Sequence, residues 1–154
     1  MLWIWWGKLG VVYLELLNSN ITVTKELYRD QLDRVNDGIS RLWLSHLRRK
    51  GAILQHDKAR PHISIKVQQK ILQLGWEVLS HPPYSSDILP SDYHLFRSLQ
   101  HHLTRQEFKD EETVRESISS FIASKPMKFI SDGIENLAQR RKMVIDNEGN
   151  YIIS

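Results

Sequence analysis

The 154-residue sequence is 41% hydrophobic and 25% charged with a net charge of +3, the profile of one soluble globular domain with at most a mild attraction for polyanions. It has no cysteine, which excludes disulfides and thiolate metal sites, so a bound metal must use carboxylate, imidazole or carbonyl ligands, as hard ions such as Mg²⁺ or Mn²⁺ do. No apolar run approaches the ~18 residues that cross a bilayer, and the opening MLWIWW lacks the basic region and cleavage site of a signal peptide, so the chain is expected inside the cell and off membranes.

In chain order, residues 2–6 and 11–17 read as two strands joined by a tight Gly7-Lys8-Leu9-Gly10 turn. From Thr24, a plausible N-cap, to about Leu47, apolar residues at Leu27, Leu32, Val35, Ile39, Leu42 and Leu47 keep helical spacing and predict a long amphipathic helix. Residues 51–55 suit a short buried strand that delivers Asp57 at its end. Pro61 fits the first turn of a helix with Ile65, Val67, Ile71 and Leu74 on its apolar face, stopped by Gly75. Residues 76–79 form the next strand, a proline-bearing loop spans 81–90, and Ser91 caps a helix over 92–103. Helices over about 111–123 and 127–143 follow, then Tyr151-Ile-Ile153 as a strand or tail. The order ββαβαβααα implies a mixed α/β sheet with flanking helices.

In an open α/β sheet, ligands gather beyond the carboxyl ends of strands, where both Asp57 and Asp92 fall. Two carboxylates with oxygen-only chemistry suit Mg²⁺, which keeps waters for a phosphate substrate. Each aspartate also has a plain local use: Asp57 as cap of the turn before Pro61, Asp92 as an acid favouring a helix N-terminus. The basic runs Arg48-Arg49-Lys50 and Arg140-Arg141-Lys142 are equally ordinary helix ends or polyanion contacts. The tryptophans Trp3, Trp5 and Trp6 suit strand-face packing better than base stacking.

The stretches HDKARPH (56–62), WEVLSHPPYSSDILPSDYHLF (76–96) and GIENLAQRRKMVIDNEGNYI (133–152) resemble the catalytic domain of mariner-type transposases. So do the opening IWW, ELLNSN at 15–20 and TVTKELYRDQLDR at 22–34, and the resemblance extends over nearly the whole chain. The residues resemble in particular the mariner lineage captured in a SET-domain fusion histone methyltransferase, although nothing in them resembles a SET domain. The 34 residues between Asp57 and Asp92 equal the family's spacing between its second and third acids. The resemblance implies an RNase H-like (retroviral integrase-like) fold, with residues 1–20 a strand hairpin, 22–50 the long helix, 51–104 the metal-site region and 105–154 the C-terminal helices and tail. It also implies Mg²⁺- or Mn²⁺-dependent DNA cleavage and strand transfer, with two cations stabilising the attacking and leaving oxygens.

By the same resemblance, Asp57 and Asp92 are catalytic metal ligands. The family's first acid lies on a strand ahead of the IWW segment, and no aspartate or glutamate before Asp57 matches it. Nor do these residues match the family's helix-turn-helix units. The expectation is therefore a partial catalytic domain, inactive as it stands, lacking the central strand between the LWIWW and GAILQ strands. Two unpaired edges would result, and a polypeptide of these residues alone would fold poorly or in part. The alternative is a nucleic-acid- or protein-binding module without catalysis. Lys58, Arg60, Tyr84, Tyr93, Arg48, Arg49 and Lys50 are the expected DNA contacts. Arg60 has Asp87 as another candidate partner, and Lys58 stands where the family commonly has asparagine. His56, His62, His81 and His94 are expected in packing or phosphate contact rather than metal ligation. DNA, a second copy of the chain and a nuclear location complete the implied setting.

Overall fold

A computed structural model describes residues 1–43 and 51–152, and the chain divides into two compact units, Met1–Trp6 with Val12–Tyr84 and Gly7–Val11 with Ser85–Ser154. The first unit holds most of the strand hairpin, β1 (Leu2–Gly7) and β2 (Gly10–Leu16). Gly10 closes the turn at φ 129°, a conformation a side chain would oppose. Helix α1 (Lys25–Leu42) starts as expected, with Thr24 Oγ1 accepting from the Leu27 N–H at 3.1 Å.

The buried stripe of α1 is Tyr28, Gln31, Leu32, Val35, Gly38 and Ile39. Leu42, expected in that stripe, is 61% exposed, because the helix ends there with Trp43 as its cap. The expected continuation to Leu47 lies outside the described residues. Gln31 reaches β2, donating to Glu15 Oε2 at 2.8 Å, while Arg34 donates to Glu15 Oε1 at 3.0 Å. Glu15 is thereby occupied in packing α1 on β2.

Strand β3 is only Ile53–Leu54, shorter than the 51–55 expected, and it pairs in parallel with β4 (Glu77–Val78) in the register Ile53 with Glu77 and Leu54 with Val78. Between them runs α2 (Ile65–Gln73). It starts later than Pro61: the Ala59 carbonyl accepts from His62 and Ile63 in a separate turn, and Ser64 Oγ caps α2 by accepting from the Val67 N–H. Its end is as expected. Gly75, at φ 72°, donates to Leu72 O and Trp76 donates to Ile71 O, the paired bonds that a left-handed residue allows.

Tyr28, Leu32, Val35, Ile39, Leu54, Val67, Ile71 and Trp76 form the core, with Trp3, Trp5, Val12 and Tyr13 packed against it. Trp3 and Trp5 thus serve packing. The four strands make two separate two-stranded sheets, and among the described residues nothing pairs one with the other. That is the arrangement expected of an RNase H-like sheet whose central strand is not among these residues.

The second unit begins with a short 3₁₀ turn (Ser86–Ile88) and a π-helical turn (Ser91–Phe96) that runs directly into α3 (Arg97–Leu103). Ser91, expected as a cap, is the first residue of the π turn, and Pro90 precedes it without a side-chain cap. Asp92 and Tyr93 both donate their N–H groups to Leu89 O, at 2.9 and 3.1 Å, so that the segment is entered through a shared acceptor with one bond of 3₁₀ and one of α type. Helix α4 (Glu111–Ser124) is capped by Asp110, whose Oδ1 accepts from the Thr113 N–H at 2.8 Å, and α5 (Met127–Asp146) follows after Pro126. Ile88, Leu95, Leu99, Ile118, Phe121 and Ile130 are its buried apolar residues. After α5 the chain is a tail rather than a strand as far as it is described, with the Ile152 N–H donating to Asp87 Oδ2. No described helix is long and apolar enough to cross a membrane.

Candidate functional site

Asp57 follows β3 by three residues and lies in the turn before α2, its side chain 55% exposed. Its Oδ1 accepts from His62 Nδ1 at 2.5 Å and from the Ala59 N–H at 3.1 Å. The second bond is the turn-capping role that the residues alone allowed. The hydrogen bond from His62 is the main cause that holds the Asp57 carboxyl down at about 2, so the group is an anion at neutral pH. Oδ2 has no hydrogen-bond partner among the described residues.

Behind Asp57 stands an aromatic stack rooted in the core. The His62 ring is 7% exposed and lies 4.1 Å from the Tyr28 ring, with Trp3 edge-on at 5.7 Å and His56 parallel at 5.3 Å. Tyr28 is fully buried, and burial pushes its phenol well above the ordinary range, so it remains a donor to His56 Nδ1 at 2.7 Å. His56 is consequently neutral: burial and the neighbouring His62 pull it down to about 4. His81 is also buried, its Nδ1 3.4 Å from the Gln55 amide nitrogen. A cleft of about 720 Å³ adjoins these groups, with Asp57, Lys58 and His62 among its lining and Ile71, Leu72 and Trp76 on its apolar wall.

Lys58 and Arg60 are exposed in the same turn and form no ion pair among the described residues. Tyr84 is 90% exposed on the proline-bearing loop at φ 57°, a left-handed conformation uncommon for an aromatic residue. Arg48, Arg49 and Lys50 lie outside the described residues.

In the second unit Asp92 is exposed in the first turn of the π-helical segment. The segment is tied to α5. Tyr93 Oη donates to Gly133 O at 2.5 Å, the Arg140 guanidinium covers the Tyr93 ring at 4.1 Å, and Arg140 Nη1 donates to Asp87 O at 3.0 Å. Burial raises the Tyr93 phenol to about 12, with Arg140 opposing. Tyr93 is half-buried and engaged through its hydroxyl, and His94 donates Nε2–H to Phe129 O at 2.7 Å.

The donor chemistry fits a hard divalent ion, since Asp57 offers an ionised oxygen and no thiolate exists in the chain. Among the described residues, no three His, Asp or Glu side chains gather as a metal cluster. Sequence reasoning missed the contact from His62 to Asp57. The only trace of it is a histidine five residues past the acid within one turn.

A family profile described as Transposase (partial DDE domain) matches residues 1–49. The chain is 38% identical over 151 residues to the human histone-lysine N-methyltransferase SETMAR, covering 98% of this chain and 22% of that protein. It is 36% identical over 153 residues to the Mariner Mos1 transposase of Drosophila mauritiana, covering 99% of this chain and 44% of that one. The chain therefore spans less than half the length of these curated relatives. A solved structure of the Mos1 transposase catalytic domain with raltegravir and Mg superposes with a TM-score of 0.94 at 36% identity, covering 99% of this chain and 76% of that one. The Mos1 paired-end complex with the left transposon end gives a TM-score of 0.93 at 36% identity, covering 99% and 44%. With its length matched almost throughout, in sequence and in fold, to the Mos1 catalytic domain, the chain belongs to the mariner-type transposases and has the RNase H-like fold of their catalytic domain.

Proposed function

We propose that this chain serves the DNA-cleaving and strand-joining chemistry of a mariner-type DNA transposase, with Asp57 and Asp92 as ligands of Mg²⁺ or Mn²⁺. The observation that carries the reading is Asp57 itself: an ionised carboxylate at the end of β3 with one oxygen unbonded, in a chain that matches the Mos1 catalytic domain over 99% of its length. When bound, divalent cations supply charge stabilisation at the attacking and leaving oxygens of a phosphodiester. This chain's own part is to hold those cations through Asp57 and Asp92 and to hold DNA. Lys58 and Arg60 contact phosphates from the Asp57 turn, and Tyr84 and Tyr93 contact the backbone. Arg48, Arg49 and Lys50 add phosphate contacts, and the site of action is nuclear DNA, with a second copy of the chain paired on it.

Only two acids of the family's three have a match among these 154 residues. A polypeptide of these residues alone is therefore proposed to bind DNA without cutting it, and to cut only when a third acid is supplied. The experiment is a supercoiled-plasmid assay with Mn²⁺, read beside DNA binding at several salt concentrations. Salt-sensitive binding without nicking supports the reading. Nicking that disappears in Asp57→Asn would show the two acids sufficient, and absence of DNA binding at low salt would remove the proposal.

A further inference from the structure

The turn that carries Asp57 contains a second residue whose placement goes beyond local capping. We propose that His62 is the positioning residue of the site, fixing the Asp57 carboxylate so that Oδ2 faces an incoming divalent cation; this rests on the reading of Asp57 as a metal ligand. Asp57 is more than half exposed, so nothing in its own burial selects a rotamer. An exposed carboxylate samples several staggered wells and loses that freedom on binding. Here Oδ1 is already taken by two donors, His62 Nδ1–H at 2.5 Å and the Ala59 N–H at 3.1 Å. Because a carboxylate only accepts, His62 must carry its proton on Nδ1 in this contact.

The anchor is rigid where the acid is not. His62 is 7% exposed and stacks 4.1 Å from Tyr28, which is fully buried, while Trp3 meets it edge-on at 5.7 Å. The buried core of the first unit thus reaches Asp57 through one ring and one hydrogen bond. Partners that orient a metal ligand in this way are worth about 10–100-fold in metal affinity.

The test uses the whole chain, with Mn²⁺ as probe, in three forms: unaltered, His62→Leu and His62→Asn. The asparagine amide takes the place of Nδ1–H, while leucine fills the space without a donor. In metal-free protein, the Hα–Hβ couplings of Asp57 are expected to report one staggered rotamer in the unaltered chain and in His62→Asn, and averaging in His62→Leu. Mn²⁺ affinity, read from broadening of the Ala59 amide signal, is expected to fall at least about 10-fold in His62→Leu and to recover largely in His62→Asn.

Unchanged Asp57 couplings in a folded His62→Leu protein overturn the proposal. So does an equal loss of Mn²⁺ affinity in both variants that tracks their thermal stability, since that is what a purely structural ring would give. If Mn²⁺ broadens nothing near Asp57 in the unaltered chain, the metal reading fails, and the couplings still decide whether His62 sets the carboxylate.

Discussion

Substituting Gly38 by alanine sets two effects of opposite sign against each other. In the middle of a helix, Gly→Ala ordinarily stabilises by about 1 kcal/mol, because glycine loses more backbone freedom on folding. Gly38, however, is the point where α1 meets β2. A Cβ built there falls 2.7 Å from Val12 Cγ1 and 2.9 Å from Val12 O. The first contact is with a side-chain methyl group, but the carbonyl belongs to the strand backbone and moves only if the hairpin shifts. Overpacking of this kind costs about 1–3 kcal/mol, and a backbone contact sits at the upper end.

The net expectation is a loss of about 1–2 kcal/mol, or a fall in Tm of roughly 2–8 °C at 2–4 °C per kcal/mol for a chain of this size. Thermal melts of Gly38→Ala, Val12→Ala and the double variant measure it. Removing the Val12 Cγ1 contact should recover part of the loss and leave the carbonyl part. A Gly38→Ala protein that melts higher than the unaltered one would show that α1 does not press on β2 at this position, and the packing described for the first unit would be wrong.

Three more consequences follow from the described contacts. His56 is neutral in the folded state with its value pulled to about 4 from 6.5, so its stabilisation is complete above about pH 6.5 and is lost as pH falls towards 4. The loss is on the order of 3 kcal/mol over that window, and urea melts in chelator at pH 7 and 4.5, compared with His56→Gln, should show it; a His56 ring titrating near 6.5 by NMR would contradict it. Phe121 is 3% exposed in the core of the second unit, so Phe121→Ala should cost about 3–5 kcal/mol, and a loss under 1 kcal/mol would argue against that core. Lys58→Asn, which removes an exposed cation next to Asp57, should raise Mn²⁺ affinity a few-fold while lowering the salt slope of DNA binding by about 1, and a fall in Mn²⁺ affinity would refute the repulsion argument.

Much of the scaffold is legible in the residues because short-range chemistry determines it. Thr24 before the periodic run of α1, Gly75 after α2 and the acid at Asp57 after an apolar run each occupy the place their chemistry requires. The departures come where a competing turn, a helix end or a distant contact decides. Ser64 rather than Pro61 opens α2, since the Ala59 carbonyl closes a separate turn first. Ser91 does not cap its helix, because Asp92 and Tyr93 share the Leu89 carbonyl in a π turn whose Tyr93 is tied to Gly133 on α5. Leu42 keeps helical spacing and is still exposed, as α1 has reached its end.

The candidate site follows the same division. The spacing of Asp57 and Asp92 and their motifs point to the family without any coordinates. Whereas the ionised state of Asp57 rests on neighbours within five residues, the neutral state of His56 and the stack of Tyr28 under His62 depend on residues up to 34 positions apart meeting in the core. No local pattern encodes them.

The account turns on the proposal that Asp57 and Asp92 are ligands of divalent cations, and paramagnetic broadening by Mn²⁺ tests that most directly. Substoichiometric Mn²⁺ should broaden the amide signals around Asp57 and those around Asp92, and Asp57→Asn should abolish the broadening around Asp57. Broadening confined to an acidic surface such as Glu111-Glu112, or broadening around position 57 that survives in Asp57→Asn, would contradict the reading of Asp57 as a metal ligand.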